Sequence, residues 1–248
     1  MTIFAEFFER LYATTGWNFS VFYDPWEADK YLHGVLVAFE LAIWGLCGAM
    51  LVGLACCFLR LMRFAPLRWA VTVYVELFRN TPGLAQMYFL FFGIGSYFHL
   101  STYGPDGAPP AITPFGFVVI TLSLQYGAFV AEILRGGIDA VPRTTKEACD
   151  ALGYSRWSGL FHVILPLAMR NSLPALGNNM AQIVKSTAMA YAIAVPEALY
   201  VAHEIWTVHF NVIEMMNVVL LTYLGMMAIF TGIVRLLERK FSIPGQGR

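Results

Sequence analysis

The chain carries several runs of uncharged residues long enough to cross a lipid bilayer, and this limits its fold more than any other feature. Leu41 to Leu59, Asn80 to Pro105, Gly107 to Ala131 and Met215 to Val234 contain no Asp, Glu, Lys or Arg. A helix needs roughly 20 apolar residues to span the hydrocarbon core, and each run approaches or exceeds that length. With His33 to Glu40, the first run makes a complete span. Asn171 to Pro196 is a further apolar run, broken only by Lys185. Lipid leaves irregular backbone unsatisfied, so these five segments predict an all-α integral membrane protein of five transmembrane helices. The composition agrees: 58% of residues are hydrophobic and 13% charged, where soluble domains run near about a quarter charged.

Lysine and arginine set the orientation. Arg60, Arg63 and Arg68 follow the first span, and Arg135, Arg143, Lys146, Arg156 and Arg170 lie between the third and fourth. Arg235, Arg239, Lys240 and Arg248 end the chain, which puts 12 of the 16 basic residues on one side. That side is expected to be cytoplasmic, with the N-terminus outside and the C-terminus inside. Residues 1–32 then form an outer N-terminal segment, 33–240 the membrane domain with a cytoplasmic loop at 136–169, and 241–248 a cytoplasmic tail. The N-terminus has neither the basic start nor the small-residue cleavage site of a signal peptide, so insertion is expected to rest on the first span. Net charge is zero, and no nucleic-acid partner is expected.

Punctuation residues place the loops. Ser101 to Pro110 is a turn-rich linker, and Val195 to Asn211, with Glu197, His203 and Glu204, reads as a second polar loop. As one helix, Pro66 to Phe98 would run about 50 Å against about 30 Å of hydrocarbon, so the second span must tilt or break. Pro82 marks the break. Cys47, Cys56, Cys57 and Cys149 include no C-x-x-C pair, so neither a disulfide framework nor a metal site is expected.

The loop between spans three and four has its own pattern. Thr144 with Glu147 three residues on fits a capping box, Gly153 suits a helix C-terminus, and Ser155 suits the cap of a second helix that Pro166 would end. Two short helices around a glycine turn would result. On the capping pattern alone, an ordinary amphipathic loop packed on the membrane surface is the better fit.

Resemblance decides between these. Glu147, Ala148, Cys149, Ala151 and Gly153, followed by Val163-Ile164-Leu165-Pro166, closely resemble the EAA motif of ABC importer permeases, with Cys149 at a position usually held by alanine. Tyr74-Val75-Glu76-Leu77-Phe78-Arg79-Asn80-Thr81-Pro82 and Lys185-Ser186-Thr187-Ala188 are similar to segments of the polar amino acid branch of that family. The tail Leu237-Glu238-Arg239-Lys240 followed by Pro244-Gly245 is a weaker likeness. Over residues 30 to 245 the chain looks most like glutamate and aspartate permeases. The resemblance implies a type I importer permease in the bacterial cytoplasmic (inner) membrane that moves polar, above all acidic, amino acids by alternating access. It implies that the loop docks on a dimer of ABC ATPase subunits, and that a periplasmic or tethered binding protein delivers substrate. It also implies a second permease chain, a heterodimer in preference to a homodimer. Glutamine, asparagine and histidine are the alternative substrates. The chain has no G-x-x-x-x-G-K-[ST] loop, so no cofactor is expected on it; ATP and Mg²⁺ belong to the partner.

Ionisable residues at membrane depth each cost at least about 2.5–3.5 kcal/mol unless paired or wet. Glu76 and Arg79, three apart on one helix, are expected to pair. Glu40 reaches for headgroups, and Glu132 sits near the inner interface. Lys185 has no acidic residue within four positions on its own helix. Substrate contact, an interhelical ion pair and a wet gate all fit it. Asn178, Asn179, Gln182 and Ser186 surround it at helical spacing and could share one polar cavity with it and Thr187. Thr81 as N-cap and Pro82 as first helical residue would start a half-helix whose N–H groups favour a carboxylate, with Asn80 and Gln86 beside it. A plain kink at Pro82 fits the same residues. No catalytic residue is assigned. His203, Glu204 and His209 are wrongly spaced for the zinc pair of H-E-x-x-H, which leaves a membrane enzyme as a remote rival. An ATP-independent channel or secondary transporter would have no need of the glycine-turn hairpin.

Overall fold

A computed structural model describes residues 3–62, 64–101 and 109–241 of the 248. Arg63, most of the linker at 101–110, and the tail with Pro244, Gly245 and Arg248 lie outside the described residues. Every regular element is helical. In order these are α1 (Ile3–Thr15), α2 (Pro25–Leu61), α3 (Ala65–Asn80), α4 (Gly83–Tyr88), α5 (Pro114–Asp139), α6 (Arg143–Ala151), α7 (Arg156–Gly159), α8 (Leu165–Ser186), α9 (Ala198–His209) and α10 (Val212–Phe241).

Among the described residues, three helices are long and apolar enough to cross a membrane unaided: Pro25–Arg60, Pro114–Asp139 and Val212–Leu236. The first starts at Pro25, before the expected His33, and the second covers 114–139 where Gly107–Ala131 was expected. The other two expected spans are interrupted. α3 stops at Asn80, and after Pro82 the chain resumes as α4 and a π-helical stretch, Phe89–Gly95. α8 carries Pro174 internally and passes into a 3₁₀ stretch, Thr187–Ile193. Proline's missing N–H and its ring account for the break at Pro82.

The chain divides into two compact units: residues 1–45, 84–121 and 184–228, and residues 46–83, 122–183 and 229–248.

In the first unit, Val195 to Asn211 is not the polar loop expected from its charges. It contains α9, because Glu197 turns its carboxylate onto the helix start and accepts from the backbone N–H groups of Leu199 and Tyr200, both at 2.9 Å. The Tyr223 hydroxyl donates to the same carboxylate at 2.7 Å, and Glu197 is fully buried. Burial raises this carboxyl's affinity for its proton, while the donors from Leu199, Tyr223 and Tyr200 oppose that rise. Gly34 fits beneath it: a Cβ there would lie 3.2 Å from the Glu197 carbonyl oxygen. Glu197→Ala strips a cap and leaves the Leu199 and Tyr200 N–H groups without their acceptor, a loss of roughly 2–4 kcal/mol. The thermal midpoint of the purified permease should fall by roughly 4–16 °C; an unchanged midpoint would show the cap to be dispensable.

The second unit is knit by close approach of α2 and α5. A Cβ on Gly48 would lie 1.9 Å from Ser123 Oγ, and one on Gly53 2.3 Å from Val130 Cγ1. Cys56, Val71, Val75, Ala128 and Ala131 form a buried cluster beside this crossing, and the Tyr74 hydroxyl donates to the Leu124 carbonyl at 2.5 Å. Where the apolar packing ends, Arg60 reaches Glu132 at 3.1 Å. Glu132 also holds Arg135, which bonds Asp139 at 2.7 Å. The expected pair of Glu76 with Arg79 does not form. Glu76 accepts from the Asn80 amide at 2.8 Å, and Arg79 lies over the Phe129 ring, 5.6 Å from its centroid. A flat guanidinium on an aromatic face offers comparable stabilisation without a second charge.

Candidate coupling hairpin and polar cavity

The hairpin begins at Pro142, whose extended backbone leads into α6 at Arg143. Thr144 is therefore inside the helix, and the expected capping box is absent: no side chain caps this end. The Thr145 N–H is instead satisfied by the Pro142 carbonyl at 3.1 Å.

The other end follows from glycine. Gly153 has φ +76°, a left-handed conformation that costs other residues about 1–2 kcal/mol. There the Tyr154 N–H bonds the Cys149 carbonyl at 3.0 Å, and the Gly153 N–H bonds the Asp150 carbonyl at 3.1 Å. This is a Schellman ending, which satisfies the last carbonyls of α6. Ser155 then caps α7, its Oγ accepting from the Ser158 N–H at 3.2 Å.

Pro166 does not end the second helix. α7 runs through a π-helical stretch, Leu160–Ile164, into α8, so the backbone stays helical from Arg156 to Ser186. The widened π turn accommodates the donor that Pro166 lacks. Leu165 is half-buried and Pro166 exposed.

Side chains on the hairpin divide cleanly. Cys149 is buried, and a Cβ on Gly159 would meet its Cβ at 3.5 Å, so a small residue is needed where α6 meets α7. Glu147, Ala148, Ala151 and Gly153 are exposed. Around the turn stand Leu152, 77% exposed, with Tyr154 and Trp157. An exposed apolar tip of this size marks an interaction site, and Trp157 stacks on Phe161 behind it, ring centroids 6.1 Å apart.

The second feature is a cavity of about 400 Å³ between α5 and α8. Gln125, Tyr126, Phe129 and Ile133 line it from α5, and Ala175, Asn178, Asn179 and Gln182 from α8. On both helices these positions recur at three- and four-residue spacing, the period of one helix face. Gly83 makes room for Gln125: a Cβ there would lie 2.5 Å from its Oε1. The lining offers four carboxamides and one phenol and no charged side chain. Carboxamides donate and accept together, so the wall can match a neutral polar group in either sense.

Gln182, Asn178 and Asn179 were recognisable on α8 as polar residues in an apolar run. The α5 contribution was missed, although Gln125 and Tyr126 interrupt an otherwise apolar stretch and carried a signal. Other candidates are not among these lining residues. Lys185 is exposed and forms no ion pair among the described residues. Thr187 is buried and donates to the Val184 carbonyl at 2.9 Å, a structural role at the start of the 3₁₀ stretch, and Ser186 is half-buried. The Thr81 hydroxyl donates back to the Leu77 carbonyl at 2.7 Å, at the end of α3. Asn80 is exposed and bonded to Glu76, while Gln86 is buried in the first unit.

Known proteins share this plan. Residues 45–243 match the family described as the binding-protein-dependent transport system inner membrane component. The glutamine transport system permease protein GlnP of Escherichia coli K12 is 32% identical over 219 residues, covering 88% of this chain and 96% of the relative. The L-cystine transport system permease protein TcyB of Bacillus subtilis is 34% identical over 172 residues, 69% of each chain. The crystal structure of an amino acid ABC transporter with histidines superposes with a TM-score of 0.76 at 26% identity, covering 86% of this chain and 94% of its own. With its long apolar helices, its exposed hairpin and these matches, the chain belongs to the inner membrane components of binding-protein-dependent transport systems, in their branch of amino-acid ABC permeases.

Proposed function

We propose that this permease forms, with a second and homologous permease chain, the import path for a polar amino acid. A separate ATPase dimer drives it through the hairpin at 136–169, and ATP and Mg²⁺ stay on that partner. An extracytoplasmic binding protein supplies the substrate. On this reading the chain crosses the membrane five times, with the N-terminus outside and the two interrupted segments completing the count.

The amide-lined cavity carries the substrate assignment. A carboxamide side chain, as in glutamine or asparagine, both donates and accepts and so matches Gln125, Asn178, Asn179 and Gln182. An acidic side chain brings acceptors only, and a buried carboxylate is held best by a paired positive charge, which this lining lacks. The glutamine permease among the relatives points the same way. Lys185 favours a second reading, the acidic amino acid, because an exposed ammonium on a helix entering the membrane suits a carboxylate.

Two variants separate these readings in the reconstituted transporter with one and the same binding protein. Gln182→Leu should cut carboxamide uptake roughly tenfold through one lost hydrogen bond to the substrate, with Lys185→Ala close to wild type. The reverse pattern, with glutamate and aspartate uptake falling roughly tenfold or more in Lys185→Ala, would replace the carboxamide reading by the acidic one. ATP-dependent uptake of no polar amino acid would remove both.

A further inference from the structure

We propose that α1 lies flat in the lipid–water interface beside the start of α2, as an in-plane anchor for the N-terminal end of the permease. The transport reading assigns α1 no task, yet its sequence, IFAEFFERLYATT, has two unlike faces. At 100° per residue, Ile3, Phe4, Phe7, Phe8, Leu11 and Tyr12 fall on one half of the helix, and Glu6, Glu9 and Arg10 on the other.

Part of the apolar half is used internally. Phe8 packs on Phe22 and Phe19, with ring centroids 4.7 and 5.7 Å apart. Much of that half stays open even so: Ile3 is 89% exposed, Phe7 59%, and Phe4, whose ring centroid also lies 5.6 Å from that of Phe22, 58%, and no residue of α1 is buried. Large aromatics left open in this way need an apolar partner.

Three observations make that partner the bilayer. First, α1 is tied to a membrane-spanning helix through a short, ordered connection. The Asn18 N–H bonds the Glu214 carboxylate at 3.1 Å, the Asn211 amide bonds the Asn18 carbonyl at 2.8 Å, and α2 starts at Pro25. The tether holds α1 at the level where α2 begins. Second, Trp17 and Trp26 flank that connection and are exposed; tryptophan concentrates at the headgroup level. Third, the exposed apolar surface continues along α2 within the same unit at Leu32, Leu36, Ile43 and Trp44, a surface suited to lipid. The polar half of α1 sums to one net negative charge, so the attachment is hydrophobic and does not require anionic lipid.

The test places nitroxide labels at Phe7→Cys and Glu9→Cys, one at a time, in a transport-competent background with the four native cysteines replaced. The intact complex, with its ATPase and second permease chain, is reconstituted into phosphatidylcholine vesicles with and without phosphatidylglycerol. Both sites are exposed, so neither substitution threatens the fold. Molecular oxygen concentrates in lipid, and a water-soluble nickel chelate stays outside. The label at Phe7 should collide with oxygen several-fold more than with the chelate, and the label at Glu9 should show the reverse, in both lipid mixtures. Chelate access at both sites would put α1 in water and overturn the proposal. Access by neither reagent at Phe7 would put that face against a protein partner and overturn it equally.

Discussion

Leu152→Asp is expected to release the ATPase from the purified complex and to stop ATP-dependent uptake, while the permease itself folds as before. Leu152 follows α6 as its C-cap residue, with its side chain 77% exposed. An aspartate there meets no neighbour; near a helix C-terminus it costs only about 0.3–1 kcal/mol. In a docked state the tip formed by Leu152, Tyr154 and Trp157 would fill an apolar groove. A carboxylate carried into that groove loses its hydration without gaining a partner. A loss of about 2–4 kcal/mol at such a centre weakens association about 30- to 1,000-fold. Co-purification of the ATPase and ATP-driven uptake read the loss, and an unchanged thermal midpoint of the isolated permease excludes misfolding. Gly153→Val approaches the same loop from the backbone, because a β-branched residue at φ +76° pushes the turn open. If Leu152→Asp complexes keep their ATPase and their transport, the hairpin tip is not the docking element.

How much of this was visible in the residues depends on the range of the interaction. The glycine turn at Gly153 and the cap at Ser155 are local, set by backbone freedom and a hydroxyl within three residues, and both stand where the spacing put them. Thr144 and Pro166 failed for a different reason. Each is a valid local signal overridden by its neighbours: Pro142 already starts α6 two residues early, and the π stretch before Leu165 carries the chain past a proline. Val195 to Asn211 misled because charge was read as exposure, whereas Glu197 spends its charge on N–H groups and Tyr223 in the interior. The cavity was half legible. Its α8 wall is a polar stripe in one helix, but recruiting Gln125 and Tyr126 from α5 requires knowing which helices meet. Arg79 on Phe129 is likewise a contact between distant residues that no spacing rule supplies.

The close crossing of α2 and α5 is the least legible feature and should carry the largest stability effect. Gly48 and Gly53 read as ordinary glycines in an apolar run, yet without a Cβ they let the α5 backbone and side chains approach. In lipid, helices gain nothing from excluding water and associate through such close packing of small residues. Gly53→Leu puts a branched side chain where even a Cβ would lie 2.3 Å from Val130 Cγ1 and 3.1 Å from the Ala131 nitrogen. The backbone contact cannot be relieved by a rotamer change, so the two helices must separate. Separation opens the cluster around Cys56 and Ala128, and it draws Arg60 from Glu132, now 3.1 Å apart. Overpacking with loss of a paired charge should cost about 3–5 kcal/mol, seen as a lower yield of monodisperse protein and a thermal midpoint lower by roughly 6–20 °C. Gly232→Leu is the matched control, since nothing lies within 4 Å of a Cβ there, and it should melt with the wild type. Equal melting of the two variants would mean that the α2–α5 crossing tolerates separation and that the second unit draws its stability from elsewhere.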